Sequence, residues 1–306
     1  MDVLADVLRA LRLRGTAYFR ADFRAPWGMA IARDDVANFH IVVDGRCTAT
    51  WDEHAPGCDL NAGDLLVFPH GLPHALRDDA QTPAVPAPEL LAGRRTTEAG
   101  RIEFGGTGEA AEIICGHFEL DQGSAHPLLV ALPKVLILRS GEGTDPEWVA
   151  TATRLAVLES GSQRPGSSAI VDRLAEALMI QLIRAHAERS QMDSGFLAAL
   201  SCRMLGPALA AIHEDPSAGW SVDMLARRIG ASRSSFAARF KAVLGTTPMQ
   251  YVTDWRMQGA RELLRTRDLS IAQVAERVGY VSEFAFAKAY KRTFGEGPGA
   301  TRRSAS

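Results

Sequence analysis

Long apolar runs, paired cysteines and a leader-like start are all missing from this chain, and each absence closes off a class of function. The longest apolar stretches, around 128–132 and 135–138, fall far short of the ~20 residues that span a bilayer, and Pro133 interrupts them. No membrane-crossing helix is expected. Residues 1–14 mix Asp2, Asp6, Arg9, Arg12 and Arg14 with apolar residues, which is not the basic-then-apolar order of a secretion signal. A short amphipathic helix is expected there instead. Only 4 cysteines occur in 306 residues, at Cys47, Cys58, Cys115 and Cys202, and none stands in a CxxC pair. This argues against a disulfide framework and for a reducing, cytoplasmic setting, with Cys202 read as a buried apolar residue.

What the chain does hold is enough apolar residue, 46% of 306, for two domains that each bury a core. Its near-neutral formal charge of −2 hides an uneven distribution. From residue 202 to the end Lys and Arg outnumber Asp and Glu by 16 to 9, whereas over 1–201 they are outnumbered by 27 to 18. A basic C-terminal third suits a nucleic-acid partner and suits a solvated surface as well, so charge alone decides nothing.

An internal repeat decides. After Ser221, the residues Val222, Leu225, Ala226 and Ile229 fall at helical spacing; after Ser270, Ile271, Val274, Ala275 and Val278 do the same. Each serine is an N-cap candidate, and Gly230 and Gly279 stand where a glycine ends a helix. Second helices are expected after Ser232 and Ser282, with apolar residues Phe236, Phe240 and Leu244 matched 50 residues later by Phe286, Tyr290 and Phe294. Gly245 with Pro248 and Gly295 with Pro298 close the two units. Between them, residues 248–265 read as one rigid connecting helix carrying Tyr251 and Trp255, with Pro248 at a permitted early position.

Helix, tight turn, helix, twice, in a basic segment is an arrangement that reads DNA: the first helix braces the second, whose N-terminal side chains enter the major groove. The stretch from about 205 to 302 resembles the AraC/XylS family of transcription regulators, because both half-motifs, the linker helix and the terminal Gly and Pro occur in order. The resemblance implies a regulator that binds specific sequences of double-stranded DNA, with RNA polymerase as a partner where it activates. It maps the base-reading positions to Arg233, Ser234, Ala237 and Ala238, then to Glu283, Phe284, Ala287 and Lys288. Several are small or apolar. That implies few base hydrogen bonds from the first recognition helix, with Arg233 and Lys241 on phosphates and methyl or shape readout contributing.

The N-terminal half reads as all-β. Residues 39–43, 65–68 and 113–120 are short apolar or alternating runs bounded by Gly, Pro and Asp, as in a sandwich or barrel. The run Gly63-Asp-Leu-Leu-Val-Phe-Pro69-His-Gly71-Leu-Pro-His74 resembles the second motif of the cupin fold, and the half as a whole resembles the cupin sensor domain attached to AraC-type regulators. The first cupin motif is largely missing: its last glycine would be Gly45, and Asn38 stands where a ligand Glu usually does. Such a domain implies a small-molecule effector.

Imidazole and thiolate suit zinc and similar transition metals. Strand alternation puts Cys115 and His117 on one face, and His40 and His74 are available as further ligands. A zinc site of His40, His74, Cys115 and His117 therefore stands against histidines hydrogen-bonded within the core and a merely buried Cys115. Farther on, 146–159 reads as a helix, 161–168 as a polar loop, and 169–188 as a longer helix. The stripe of that last helix, Ile170, Leu174, Ala177, Leu178, Gln181 and Leu182, either packs within the chain or, as resemblance to arabinose-type regulators implies, forms a homodimer interface.

The expected architecture is multidomain: an all-β cupin-like barrel plus helices, then an all-α double helix-turn-helix. Residues 1–140 are the expected sensor, 141–200 a helical segment and linker, and 201–306 the DNA-binding domain, with the boundary near 190–195. The expected function is transcription regulation without catalysis. The competing reading is a metal-dependent cupin enzyme fused to a DNA-binding module.

Overall fold

Short apolar or alternating runs ended by Gly, Pro or Asp form strands, and runs with apolar residues three and four apart form helices. The computed structural model describes residues 2–11, 13–52, 57–92, 101–119, 127–142, 145–162, 164–189, 195–266 and 268–304. Helix α1 (Val3–Ala10) precedes strands β1 (Arg14–Arg24), β2 (Gly28–Ile31), β3 (Ala37–Asp44), β4 (Arg46–Thr50), β5 (Cys58–Asn61), β6 (Leu65–Phe68), β7 (His74–Arg77) and β8 (Val85–Pro86). After the short helix α2 (Ala87–Leu91) come β9 (Arg101–Gly105), β10 (Ala110–Glu119), the short helix α3 (Pro127–Ala131) and β11 (Leu136–Leu138). The remainder is helical: α4 (Pro146–Ser160), α5 (Ser167–Arg189), α6 (Phe196–Ser201), α7 (Leu205–Glu214), α8 (Val222–Arg228), α9 (Arg233–Leu244), α10 (Pro248–Thr266), α11 (Ile271–Arg277), α12 (Glu283–Phe294) and α13 (Pro298–Ser304).

Two compact units result. One takes in Leu13–Leu120 and Pro133–Ser190 and holds a six-stranded sheet, β11-β6-β3-β10-β1-β9, and a five-stranded sheet, β5-β4-β7-β2-β8. The strands expected at 39–43, 65–68 and 113–120 are β3, β6 and β10, antiparallel neighbours in the first sheet. Phe23, Trp27, Met29, Leu60, Leu66, Phe68, Leu76 and Ile113 fill the core. In the motif from Gly63 to His74, Gly71 has φ 57°, and a Cβ there would overlap the carbonyl oxygen of Asp34, so only glycine fits. The buried carboxylate of Asp64 accepts from the backbone N–H of Asn61 (3.0 Å) and Ser140 (2.8 Å) and from Arg139 (2.9 Å), which fixes the preceding turn.

The helix expected over 1–14 ends at Ala10, because Arg14 already pairs with Glu119 as β1 lines up along β10. The stripe of α5 is also turned by about one residue. Val171, Ala175, Leu178, Met179, Leu182 and Ile183 are buried against α4, β1 and β11, and Ile170 is exposed. Helix α4 buries Val149, Ala152, Thr153 and Ala156 but leaves Trp148, Leu155 and Leu158 exposed. Its end is held by Arg20, which pairs with Glu112 and donates to the carbonyl of Val157 (2.9 Å) and to Ser160 Oγ (3.1 Å).

The second unit takes in Met1–Arg12, Asp121–Leu132 and Gln191–Ser306. Within it α1 packs on α7 and α10, and α3 on α6. The boundary expected near 190–195 falls almost wholly outside the described residues. The repeat has the expected form. Side chains of Ser221, Ser232, Ser270 and Ser282 accept from the backbone N–H of Met224, Ser235, Gln273 and Ala285 and so cap α8, α9, α11 and α12. Gly245 and Gly295 end α9 and α12 in the left-handed conformation, at φ 72° and 76°. Phe236, Phe240 and Tyr251 pack edge to face in the first half, while Phe286, Tyr290, Met257 and Val274 form the core of the second. The linker's Arg256 joins the halves by donating to the carbonyls of Pro216 (2.7 Å) and Ala218 (2.7 Å) and, at 3.5 Å, of Gly279. Cys202 is half-buried rather than buried.

Candidate functional site

The serine caps set where each recognition helix begins, and so which side chains stand on its first turns. Positions 50 residues apart correspond: Ser234 with Phe284, Ala237 with Ala287, Ala238 with Lys288, and Lys241 with Lys291. On α9, Arg233, Ser234, Ala238 and Lys241 are exposed and Ala237 is half-buried. Arg233 donates to Asp223 of the bracing helix α8 at 3.2 Å. Both partners are exposed, so the pair is worth less than about 1 kcal/mol and a phosphate competes with it readily. On α12, Glu283, Phe284 and Lys288 are exposed and Ala287 is half-buried. Phe284 keeps 81% of its surface accessible, and Val281, one residue before the cap, is fully exposed.

The chemistry of the two faces differs. That of α9 starts with Arg233, continues with the small residues Ser234, Ala237 and Ala238 and ends with Lys241; that of α12 starts with Glu283 and carries an aromatic ring followed by Lys288 and Lys291. Sequence reasoning missed Lys291 and Val281. The repeat offset from Lys241 reaches Lys291, so that signal was present; the residue equivalent to Val281 is Ala231, which gives none.

In the β unit, His40, His74 and Cys115 come together and His117 does not join them. Cys115 of β10 lies opposite His40 of β3, with His40 Nδ1 3.1 Å from its sulfur. His40 Nε2 is 2.7 Å from Nε2 of His74, which opens β7 in the other sheet, and His74 Nδ1 is 2.7 Å from the carbonyl oxygen of Leu72. His117 lies farther along β10, stacked on Tyr18 and 3.4 Å from Glu119.

These contacts fix every proton. A carbonyl only accepts, so His74 Nδ1 donates to Leu72. The Nε2 of a neutral His74 then accepts from His40 Nε2, and His40 Nδ1 accepts from the thiol of Cys115. Burial favours the neutral form of each member. It holds His40 well below the usual histidine range, helped by His74, and His74 down to about 4; it pushes the Cys115 thiol up. An ion held by both histidines at zinc distances would spread their nitrogens to about 3.3 Å, wider than the 2.7 Å of this hydrogen-bonded pair, and would itself turn the thiol into a thiolate. Among the described residues, no group of three or more His, Cys, Asp or Glu is arranged to hold a metal ion. No helix among them is long and apolar enough to cross a membrane.

Comparison with known proteins returns two family matches: "Cupin" over residues 2–188 and "Helix-turn-helix domain" over 225–304. The chain is 31% identical over 302 residues to the HTH-type transcriptional regulator AlkR of Acinetobacter baylyi, covering 97% of this chain and 98% of AlkR. It is 32% identical over 307 residues to a putative AraC-like transcription regulator of Streptomyces lividans, covering 99% and 98%. The crystal structure of the DNA-binding domain of AdpA with a target DNA is 32% identical, covering 34% of this chain and 93% of that one, with a TM-score of 0.33.

Proposed function

This chain belongs to the AraC-like transcription regulators, and from that premise we propose that α9 and α12 enter successive major grooves of one double-stranded operator. The observation that carries this reading is the equivalence of the two recognition helices, which share cap, spacing and terminating glycine. Arg233, Ser234, Ala237 and Ala238 of α9 and Glu283, Phe284, Ala287 and Lys288 of α12 occupy the base-reading positions; of these Arg233, together with Lys241 and Lys291, holds phosphates. A selection from a random duplex library with the full chain tests it. The expected product is a site of two half-elements about one helical turn (~34 Å) apart, bound less tightly as salt rises. Failure to enrich any sequence would overturn the reading.

In this scheme residues 1–140 sense, 141–200 form a helical segment, and 201–306 read DNA, with α1 and α3 packed among the DNA-reading helices. A small-molecule effector takes the cleft of about 510 Å³ beside β1, β9 and β10, lined by Asp22, Arg24, Asp44 and Glu103. A cytoplasmic setting and, on activation, contact with RNA polymerase go with this reading. The homodimer runs through α4, whose Trp148, Leu155 and Leu158 stay exposed, rather than through the buried stripe of α5.

The rival reading, a metal-dependent cupin enzyme, needs an ion at His40, His74 and Cys115. The closed proton chain there supports a structural tie between the two sheets instead. Elemental analysis of untagged full-length protein is expected to find no stoichiometric zinc or other transition metal; one ion per chain that is lost in His74→Ala would restore the metal site.

A further inference from the structure

Val281 and Phe284 bracket the cap of α12, at the residue before Ser282 and at the second residue of the helix. A residue at the position of Val281 commonly packs back on the fourth residue of the helix, here Phe286. It does not do so: Val281 is fully exposed, and Phe286 meets Tyr280 within the core instead. Phe284 likewise projects from the helix with 81% of its surface accessible. Two large apolar side chains left in water at one helix start indicate an apolar counterpart. Lys288 and Lys291, also exposed on the outer side of α12, indicate that the counterpart belongs to a polyanion.

The major groove of DNA offers one apolar group, the 5-methyl of thymine. We propose that Val281 and Phe284 read thymine methyl groups, so that α12 adds sequence discrimination by apolar contact that α9, with Ala231 and Ser234 in the equivalent places, does not make. This rests on the DNA-binding reading above and adds to it which base, and which atom of that base, is recognised. The basic flank sets it apart from an apolar patch made for a protein partner.

Deoxyuridine differs from thymidine only by that methyl and pairs in the same way. The experiment uses a duplex selected by the full chain, with each thymine replaced in turn by deoxyuridine, against wild type, Phe284→Ala and Val281→Ala. Both side chains are exposed, so unchanged melting curves are expected of the variants. For wild type, replacement at one or two positions in a single half-element should weaken binding about fourfold per methyl. Phe284→Ala or Val281→Ala should bind the thymine and uracil forms of its own position alike, while keeping its response to the rest of the site. If wild type binds every uracil duplex as tightly as the parent, or if both variants keep the full difference, methyl reading is overturned and the DNA-binding reading stands. If the selection yields no bound duplex, that reading falls as well, and a protein occupant of the patch takes its place.

Discussion

Burial holds His74 at a pKa of about 4, against 6.5 for a free imidazole, so the folded state resists taking up a proton that the unfolded chain accepts. Between these values the unfolded chain binds more protons, and stability falls as pH falls. Fully expressed, the shift corresponds to about 3 kcal/mol lost between pH 6.5 and 4. Chemical unfolding of the β unit's tryptophan signal at a series of pH values should show this slope, and His74→Gln should reduce it to the share left by His40; an equal slope in both would mean that His74 does not titrate as described. Phe240 is fully buried between Phe236 and Tyr251, so Phe240→Ala should cost about 3–5 kcal/mol and abolish operator binding. Wild-type stability in that variant would remove the aromatic anchor from the account. Arg256→Met leaves carbonyls of two turns without their donor. A loss of about 2 kcal/mol is expected in thermal unfolding, against almost none if water replaces the guanidinium.

At the scale of elements, α4 makes a definite claim. Its buried face meets α5, and its other face carries Trp148, Leu155 and Leu158 into solvent. Leu155→Glu with Leu158→Glu should turn the dimer into a monomer in sedimentation velocity without unfolding the chain; a dimer that survives lies elsewhere. Helices α8, α9, α11 and α12 were legible in the sequence because their signals are local: a serine cap, apolar residues at helical spacing and a glycine, given once in each half of the repeat. Strand β1 carried a local signal that sequence reasoning missed: Thr16, Tyr18, Arg20 and Asp22 alternate with Ala17, Phe19, Ala21 and Phe23, the period of a half-buried strand, and it pairs with β10. The orientation of α5 was hidden because Ile170 and Val171 are adjacent and equally apolar, so the sequence pattern does not choose between them. The meeting of His40, His74 and Cys115 depends on register between strands distant in sequence. Period-two alternation says which face a residue takes, not which residue it will oppose, and so it also grouped His117 with Cys115 without limiting their reach.

For the whole molecule, the central claim is that the repeat is two readers on one rigid spacer. Helix α10 runs from Pro248 to Thr266 without interruption, and Arg256 at its middle ties both halves to it, so the two recognition helices keep one fixed separation. Such a protein tolerates little change in the phase of its two half-elements. The most direct measurement is the affinity of the full chain for its selected duplex before and after about half a helical turn (~5 base pairs) is inserted between the half-elements. The insertion puts the second major groove on the far side of the duplex, and affinity should fall to the non-specific level; equal affinity for the parent and the extended duplex would contradict the account.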